Sequence, residues 1–361
     1  MSLPEFYLLF LLFSFLLFTG LKLFSLWIKT PAMATLSLSQ ITAIIPLRSE
    51  AKNLPDLLTS IEAQESLPFE LIFIDDHSED NSTAIIESFI QSNQFGRLIS
   101  LPEYKVGKKE AVNLGVKTAQ TPYVLTLDAD VVLNKNYFKS MVNIPETSLF
   151  SLPVIMKGKS FLGRLFASEY SFFNAFNFLI AKIWPISISG ANLLINKSFV
   201  DYEKQLTKHN HLASGDDYFL LKYFRKNNLP IYTSNDLNLT VETAAPSNLR
   251  SYFDQRVRWL SKSKFQLEWM DIFIGLFIFI YFVGGFIALL LAIIQFNWQL
   301  AIGIFLLRFF MDALIYLNYS QKLRITRNVL ILPFFQLIYP LLFLSVSVLS
   351  VFYSPSWKGR G

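Results

Sequence analysis

Apolar residues are spread unevenly along the 361-residue chain. Residues 6–28 form one apolar run in which Lys22 is tolerated if its amine snorkels to an interface, and the run meets the roughly 20-residue length of a spanning helix. Residues 272–294 and 300–317 form a second and a third run. A fourth, over 329–353, contains Pro333 and Pro340. Between them, residues 40–268 read as an ordinary globular sequence. There, residues 41–46 (Ile-Thr-Ala-Ile-Ile-Pro), 71–75 (Leu-Ile-Phe-Ile-Asp) and 123–128 (Tyr-Val-Leu-Thr-Leu-Asp) are short, apolar and rich in β-branched side chains. Each ends in polar residues, and helix-like stretches over 53–64 and 82–91 separate them, with Asn81 or Ser82 as a cap. This alternation predicts buried parallel strands with crossover helices.

The pattern divides the chain into a membrane anchor over 1–30, an α/β domain over 40–250 and an interfacial amphipathic segment over 251–270. Membrane helices over 271–353 and a basic tail over 354–361 follow. A cleaved signal peptide is the rival for the first run, since Ala32-Met33-Ala34 resembles a processing site, but residues 1–5 carry no positive charge. Lys22 and Lys29 follow the uncharged stretch 6–21 instead, which places the α/β domain in the cytoplasm of a multi-pass protein of the cell membrane. Lys322, Arg324 and Arg327 between the third and fourth runs give the same orientation. A full fourth span puts the basic tail outside, whereas a proline-bent hairpin keeps it inside. Arg308 and Asp312, one helical turn apart within the third run, are expected to pair or to line a polar cavity.

Composition narrows the chemistry. A hydrophobic fraction of 52% and a mean hydropathy of +0.39 exceed those of a soluble enzyme. With no cysteine and three histidines, of which only His209 and His211 are close, a metal must be held by oxygen ligands. The net charge of +5 is modest. Arg256, Arg258, Lys262 and Lys264 precede the second run, where anionic lipid headgroups attract them; nucleic-acid binding is the poorer explanation.

In an open parallel sheet the site lies at the carboxyl ends of the strands, and Glu50, Asp75, Asp76, Asp128 and Asp130 all fall there. Asp128-Ala129-Asp130 on a turn can hold a hard divalent cation whose other ligands are diphosphate oxygens. Lys105, Lys108 and Lys109 could neutralise that diphosphate. Ser214-Gly215-Asp216-Asp217 opens a helical segment, where paired carboxylates serve either as a cap or as a base that takes the proton of an attacking hydroxyl. In Gln255-Arg256-Val257-Arg258-Trp259 the arginines either snorkel at the interface or use their planar forks on a departing diphosphate. The indole offers a platform for a sugar ring.

The ordered set Pro46-Leu47-Arg48-Ser49-Glu50, Asp75-Asp76, Gly107-Lys108, Asp128-Ala129-Asp130, Gly215-Asp216-Asp217 and Gln255-Arg256-Val257-Arg258-Trp259 resembles glycosyltransferase family 2. The resemblance is to its membrane-embedded branch, which includes cellulose and hyaluronan synthases and ceramide glucosyltransferase. It covers residues 40–265 and implies a GT-A (Rossmann-like) α/β fold with N- and C-terminal transmembrane helices, and an inverting single displacement. By the same resemblance Pro46, Arg48, Glu50, Asp76, Lys108 and Asp128 face the donor, with Glu50 and Asp76 at the nucleoside, and Asp130 holds the metal together with Asp128. Asp217 matches the general base, with Asp216 beside it. Gln255, Arg258 and Trp259 match the motif at the donor diphosphate and acceptor entrance, and Ser189-Gly190-Ala191-Asn192 the acceptor side. Ser49 replaces the more common asparagine or aspartate, and Gly-Asp-Asp replaces Thr-Glu-Asp, which leaves open which of the two aspartates is the base.

The expected activity is transfer from a nucleotide-diphosphate sugar, a UDP-sugar by preference, to a membrane lipid at the cytoplasmic face with Mg2+ or Mn2+ as cofactor. Three hydrophobic runs after the domain are few for a secretion channel, which favours a lipid acceptor over a growing polysaccharide. A processive synthase of the same family and a non-catalytic nucleotide- or metal-binding scaffold are the alternatives, and a phosphate-accepting domain built on Asp75-Asp76 would leave the Arg-Trp motif unexplained.

Overall fold

A computed structural model describes residues 1–28, 33–145, 148–207, 216–263, 268–325 and 331–353. The chain forms two compact units. One gathers Thr30–Lys157 and Ser187–Ala245; the other gathers Met1–Lys29, Gly158–Ile186 and Pro246–Pro355. The backbone passes between them after residues 29, 157, 186 and 245. The sequence pattern predicts one uninterrupted domain over 40–250. Instead, residues 158–186 leave it, because their helix Phe161–Ile180 carries aromatic side chains that pack with apolar helices distant in sequence.

In the first unit a seven-stranded mixed sheet is built from β1 (Ile41–Leu47), β2 (Glu70–Asp75), β3 (Arg97–Ser100), β4 (Tyr123–Leu127), β5 (Leu149–Ser151), β6 (Asn192–Asn196) and β7 (Ile231–Thr233). The spatial order is β7-β5-β6-β4-β1-β2-β3. β1 runs parallel to β2 and β4, and β2 parallel to β3, as the continuous apolar runs predict. β6 is antiparallel to both β4 and β5, and β7 is parallel to β5. Pro46 lies beyond the last pairing of β1 with β4, at Ile44–Thr126, so its missing amide donor is not needed there.

The crossover helices cover this sheet for evident reasons. Helix Leu54–Glu62 starts with Pro55 in its first turn and buries Leu54, Leu57, Leu58 and Ile61, one stripe of a 3.6-residue period. Helix Lys108–Thr118 packs Ala111, Val112 and Val116 into the core under β1 and β2. Gly115 permits the approach, since a Cβ there would lie 2.5 Å from Ile44 Cγ2. A second sheet, of three strands, pairs Val241–Ala244 antiparallel with Val131–Leu133 and parallel with Val154–Lys157. The first strand of this sheet, Val131–Leu133, follows β4 across the Asp128–Asp130 turn.

The other unit is helical. Four of its helices are long and apolar enough to cross a membrane: Leu3–Trp27, Trp269–Ile294, Trp298–Lys322 and Leu332–Phe352. They fall on the four runs that the sequence predicts. The second contains a π-helical turn at Ile280–Gly284, after which the chain continues helically from Gly285. A buried polar cluster sits at this turn. Tyr7 Oη donates to the Tyr281 carbonyl at 2.6 Å, Tyr281 Oη donates to Asp312 Oδ1 at 2.7 Å, and Arg308 Nε lies 4.0 Å from Asp312 Oδ2. The expected Arg308–Asp312 pairing is therefore present only as a long ion pair: Tyr281 bonds Asp312 Oδ1, while among the described residues Arg308 Nε and Nη2 and Asp312 Oδ2 find no hydrogen-bond partner. Helix Phe161–Ile180 packs on Trp298–Lys322, and Leu332–Phe352 on helix Leu249–Ser263.

Candidate active site

The carboxyl ends of β1 and β2 are joined by a lattice of short polar contacts. Asp76 N–H donates to the Leu47 carbonyl at 2.9 Å, Ser49 N–H to Ser78 Oγ at 2.8 Å, Glu50 N–H to Ser82 Oγ at 2.8 Å and Ala51 N–H to Asp80 at 3.0 Å. Ser49 and His77 adopt left-handed backbone conformations at these two strand ends. Such conformations recur where a surrounding network over-determines the backbone, as at ligand sites. Glu50 accepts from Asn53 Nδ2 at 2.6 Å, and Arg48 lies 3.4 Å from Glu79. Asp75 and Asp76 are buried. Asp75 accepts from Ser78 N–H at 3.2 Å, while Asp76 Oδ2 accepts from Gly107 N–H at 3.0 Å, at the start of helix Lys108–Thr118.

Lys108, the first residue of that helix, pairs with Asp128 just past β4. The other two lysines are engaged differently from expectation. Lys105 pairs with Glu110 at 2.8 Å, and Lys109 is buried with its ammonium 5.4 Å from the centre of the Phe219 ring. Asp130 accepts from Thr243 Oγ1 at 3.3 Å. Its carboxyl is pushed up to about 6, first by the surrounding protein and then by the negative charges of Asp128 and Glu50, with Lys108 opposing. Solvent still reaches this side chain, so the clustered negative charge is the cause we weigh most. Among the described residues no three carboxylates or imidazoles converge as a complete metal cage. The surplus negative charge on Asp130 and Asp128 nevertheless suits a hard cation whose remaining ligands come from a diphosphate.

Asp217 lies in the first turn of helix Asp216–Lys226. One carboxylate oxygen accepts from Gly190 N–H at 3.4 Å, and the other from the adjacent Tyr218 N–H at 2.7 Å. The Gly190 carbonyl accepts from Thr126 Oγ1 on β4 at 2.9 Å. The register of β6 on β4 pairs Asn192 with Leu127. The chain turns just before this pair, with Asn192 N–H donating to the Ser189 carbonyl at 3.2 Å, so Gly190 lies at the end of the ladder where β4 stops and the Asp128–Asp130 turn leaves. The fold therefore brings Glu50, Asp76, Lys108, Asp128, Asp130, Gly190 and Asp217 to one end of the sheet. Ser214, Gly215 and the His209–His211 pair lie outside the described residues.

Asn192 corrects an expectation. It is fully buried rather than facing an acceptor: its amide donates to the Pro153 carbonyl at 2.8 Å and the Leu239 carbonyl at 3.0 Å, and its Oδ1 accepts from Tyr137. Those carbonyls precede two strands of the three-stranded sheet, so Asn192 ties that sheet to β6.

Gln255, Arg258 and Trp259 belong to the helical unit, on Leu249–Ser263. Arg256, expected among cations facing lipid headgroups, is buried against Glu169 of helix Phe161–Ile180, with its Nε 3.0 Å from Glu169 Oε2. Burial of its fork against a carboxylate withdraws it from that cationic group. Lys264, the tail over 354–361, Lys29 and Arg327 lie outside the described residues. Glu169 is the functional candidate that sequence reasoning missed. Its one signal is that it is the sole acidic residue between Phe161 and Ile180.

The model of glycosyl transferase family 2 matches residues 42–189. Poly-beta-1,6-N-acetyl-D-glucosamine synthase of Staphylococcus aureus (strain COL) is 29% identical over 148 residues, which is 40% of this chain and 35% of that protein. The synthase of the same name from Staphylococcus epidermidis is 31% identical over 136 residues, 36% of this chain and 32% of that protein. The chain thus matches about a third of the length of these curated relatives. Among solved structures, the mannosyltransferase PcManGT from Pyrobaculum calidifontis, in complex with GDP-Man and Mn2+, superposes with a TM-score of 0.52 at 16% identity. The superposition covers 93% of this chain and 99% of that one. The fold is GT-A: a mixed α/β sheet accompanied by long apolar helices at both ends of the chain.

Proposed function

Because the chain carries a glycosyltransferase family 2 domain over residues 42–189, we propose that it is an inverting glycosyltransferase that moves a sugar from a nucleoside-diphosphate donor to a lipid acceptor at the cytoplasmic membrane face. The observation that carries this reading is the link from Asp217 through Gly190 to the Asp128–Asp130 turn. It sets a proton acceptor and a cation-attracting pair at the same end of one sheet.

In this mechanism Glu50 and Asp76 hold the nucleoside, and Lys108 keeps Asp128 oriented while facing the donor. Asp130, with Asp128, would hold a divalent cation, Mg2+ or Mn2+, which when bound offsets the charge developing on the leaving diphosphate. The family resemblance alone assigns Arg258 a planar cationic fork for the same group. Asp217 takes the proton of the acceptor hydroxyl as it attacks the anomeric carbon from the face opposite the leaving group, so an α-linked donor gives a β-linked product. Pro46 and Arg48 shape the nucleoside side, Gln255 and Trp259 the acceptor entrance, and Asp216 flanks the base. The Mn2+ and GDP-Man bound by the Pyrobaculum protein support the cation and the donor class.

A lipid acceptor is favoured by the four helices that are long and apolar enough to cross a membrane. Similarity to poly-N-acetylglucosamine synthases favours a second reading, processive polymer synthesis with a UDP-sugar. Membranes containing the protein, incubated with radiolabelled UDP-N-acetylglucosamine, UDP-glucose or GDP-mannose, separate the two. Label in the organic extract supports the lipid reading, label retained as insoluble polymer supports the other, and label in neither removes the transferase assignment. The cytoplasmic placement follows from the cations flanking the spans and is checked by which side of sealed vesicles admits protease to residues 40–157.

A further inference from the structure

Arg256 stands inside the sequence Gln255-Arg256-Val257-Arg258-Trp259 but points away from the role proposed for its neighbours. It is 8% exposed and its partner Glu169 is 4% exposed. The two share a forked contact: Arg256 Nε lies 3.3 Å and 3.0 Å from the two Glu169 oxygens, and Nη2 donates to the same carboxylate. Tyr252 Oη donates to Glu169 Oε1 at 3.2 Å, completing the acceptor side. The remaining face and edge of the guanidinium are spent on the motif itself. Nη1 donates to Gln255 Oε1 at 2.7 Å, and the guanidinium carbon sits 4.5 Å from the centre of the Trp259 ring. The Tyr252 ring lies 5.0 Å away and Tyr170 6.0 Å.

A planar cation that satisfies one carboxylate bidentately has little rotational freedom, and a lysine ammonium cannot reproduce both the fork and the stack. An indole lying against that plane is held by the ring quadrupole as well as by packing. The buried charge also has no alternative partner in water, so the pair fixes one arrangement instead of several. Glu169 comes from helix Phe161–Ile180, 87 residues before Arg256 in the chain.

The geometry points to Glu169 and Arg256 as positioning residues: Glu169 locks the Arg256 fork, and Arg256 in turn sets the Gln255 amide and the Trp259 indole. Neither touches substrate in this scheme. The functional part of the inference rests on the transferase reading; the placement of Trp259 does not.

The test uses the full-length protein in detergent or nanodiscs, with 5-fluorotryptophan incorporated and the Trp259 resonance assigned by its loss in Trp259→Phe. Glu169→Gln keeps the shape and removes the charge; Arg256→Lys keeps the charge and removes the fork. Both are assayed well below their melting temperatures for nucleoside diphosphate release from whichever of UDP-N-acetylglucosamine, UDP-glucose or GDP-mannose the parent turns over. In each variant the Trp259 fluorine resonance is expected to shift or broaden, and kcat to fall at least tenfold while the donor KM stays within threefold. If one variant does not fold, the other carries the comparison. An unchanged Trp259 resonance, or a kcat within twofold of the parent, overturns the proposal. A parent that turns over none of the three donors removes the transferase reading instead, and the fluorine measurement alone then decides whether the pair positions Trp259.

Discussion

Asp130 is where charge and chemistry meet at the level of a single side chain. Its carboxyl is pushed up to about 6 by the surrounding protein and by the negative charges of Asp128 and Glu50, of which the charges weigh more at a side chain that solvent reaches. Since folding raises this group above its ordinary value, the folded chain holds the proton more tightly than the unfolded chain, and stability contributed here falls as pH rises from about 4 to 6. A divalent cation held by Asp130, as proposed, would compete with that proton. Mn2+ affinity is therefore expected to rise about tenfold per pH unit below pH 6 and to level above it, which calorimetric titration between pH 5 and 8 reads directly; a flat profile through pH 5 contradicts it. Asp217→Asn is expected to lower transfer about a thousandfold or more with donor affinity nearly unchanged, and normal turnover in this variant rules out Asp217 as the base. Asn192→Ala removes three buried contacts and should cost about 2–4 kcal/mol of stability, seen as a lower melting temperature with the donor KM of the folded protein preserved. Legibility at this scale followed position. Glu50, Asp76, Asp128 and Asp130 were readable because strand ends converge whatever the loops do, whereas Asn192 and Glu169 take their roles from partners far along the chain.

Individual helices and strands show the same division. β1, β2 and β4 were legible because strands buried on both faces leave unbroken apolar runs. β5 and β7, three residues each, are too short to leave a period, and the antiparallel β6 differs from a parallel strand only in its partners. Helix Lys108–Thr118 depends on Gly107, whose φ of +100° is a conformation that side chains rarely adopt and whose amide Asp76 accepts. Gly107→Ala is expected to cost about 1–3 kcal/mol and to weaken donor binding, since the strain falls where helix and Asp76 meet; equilibrium binding of UDP and GDP with thermal melting checks both. Among the apolar helices, Gly285 leaves room for Tyr7, because an added Cβ would lie 2.3 Å from Tyr7 Oη and 2.8 Å from Arg308 Nη1. Gly285→Ala should lower the melting temperature of the solubilised protein. Adding Tyr7→Leu should recover part of that loss, and strict additivity of the two effects would show that the contact is not shared.

At the scale of the whole molecule, the sequence revealed a globular segment between apolar ends but not that the globular segment lends a helix to the other unit. Hydropathy could not have separated residues 158–186, because an aromatic helix buried among helices and one buried against a sheet read alike. That loan constrains how the protein can be taken apart. A fragment ending near residue 245, the obvious choice for a soluble catalytic piece, would retain Phe161–Ile180 while discarding the helices that cover Phe166, Phe172 and Phe173 and the arginine that neutralises Glu169. Such a fragment should self-associate through that bared aromatic stripe. Replacing residues 158–186 with a short hydrophilic bridge, and not merely trimming the ends, is what should yield a monodisperse domain.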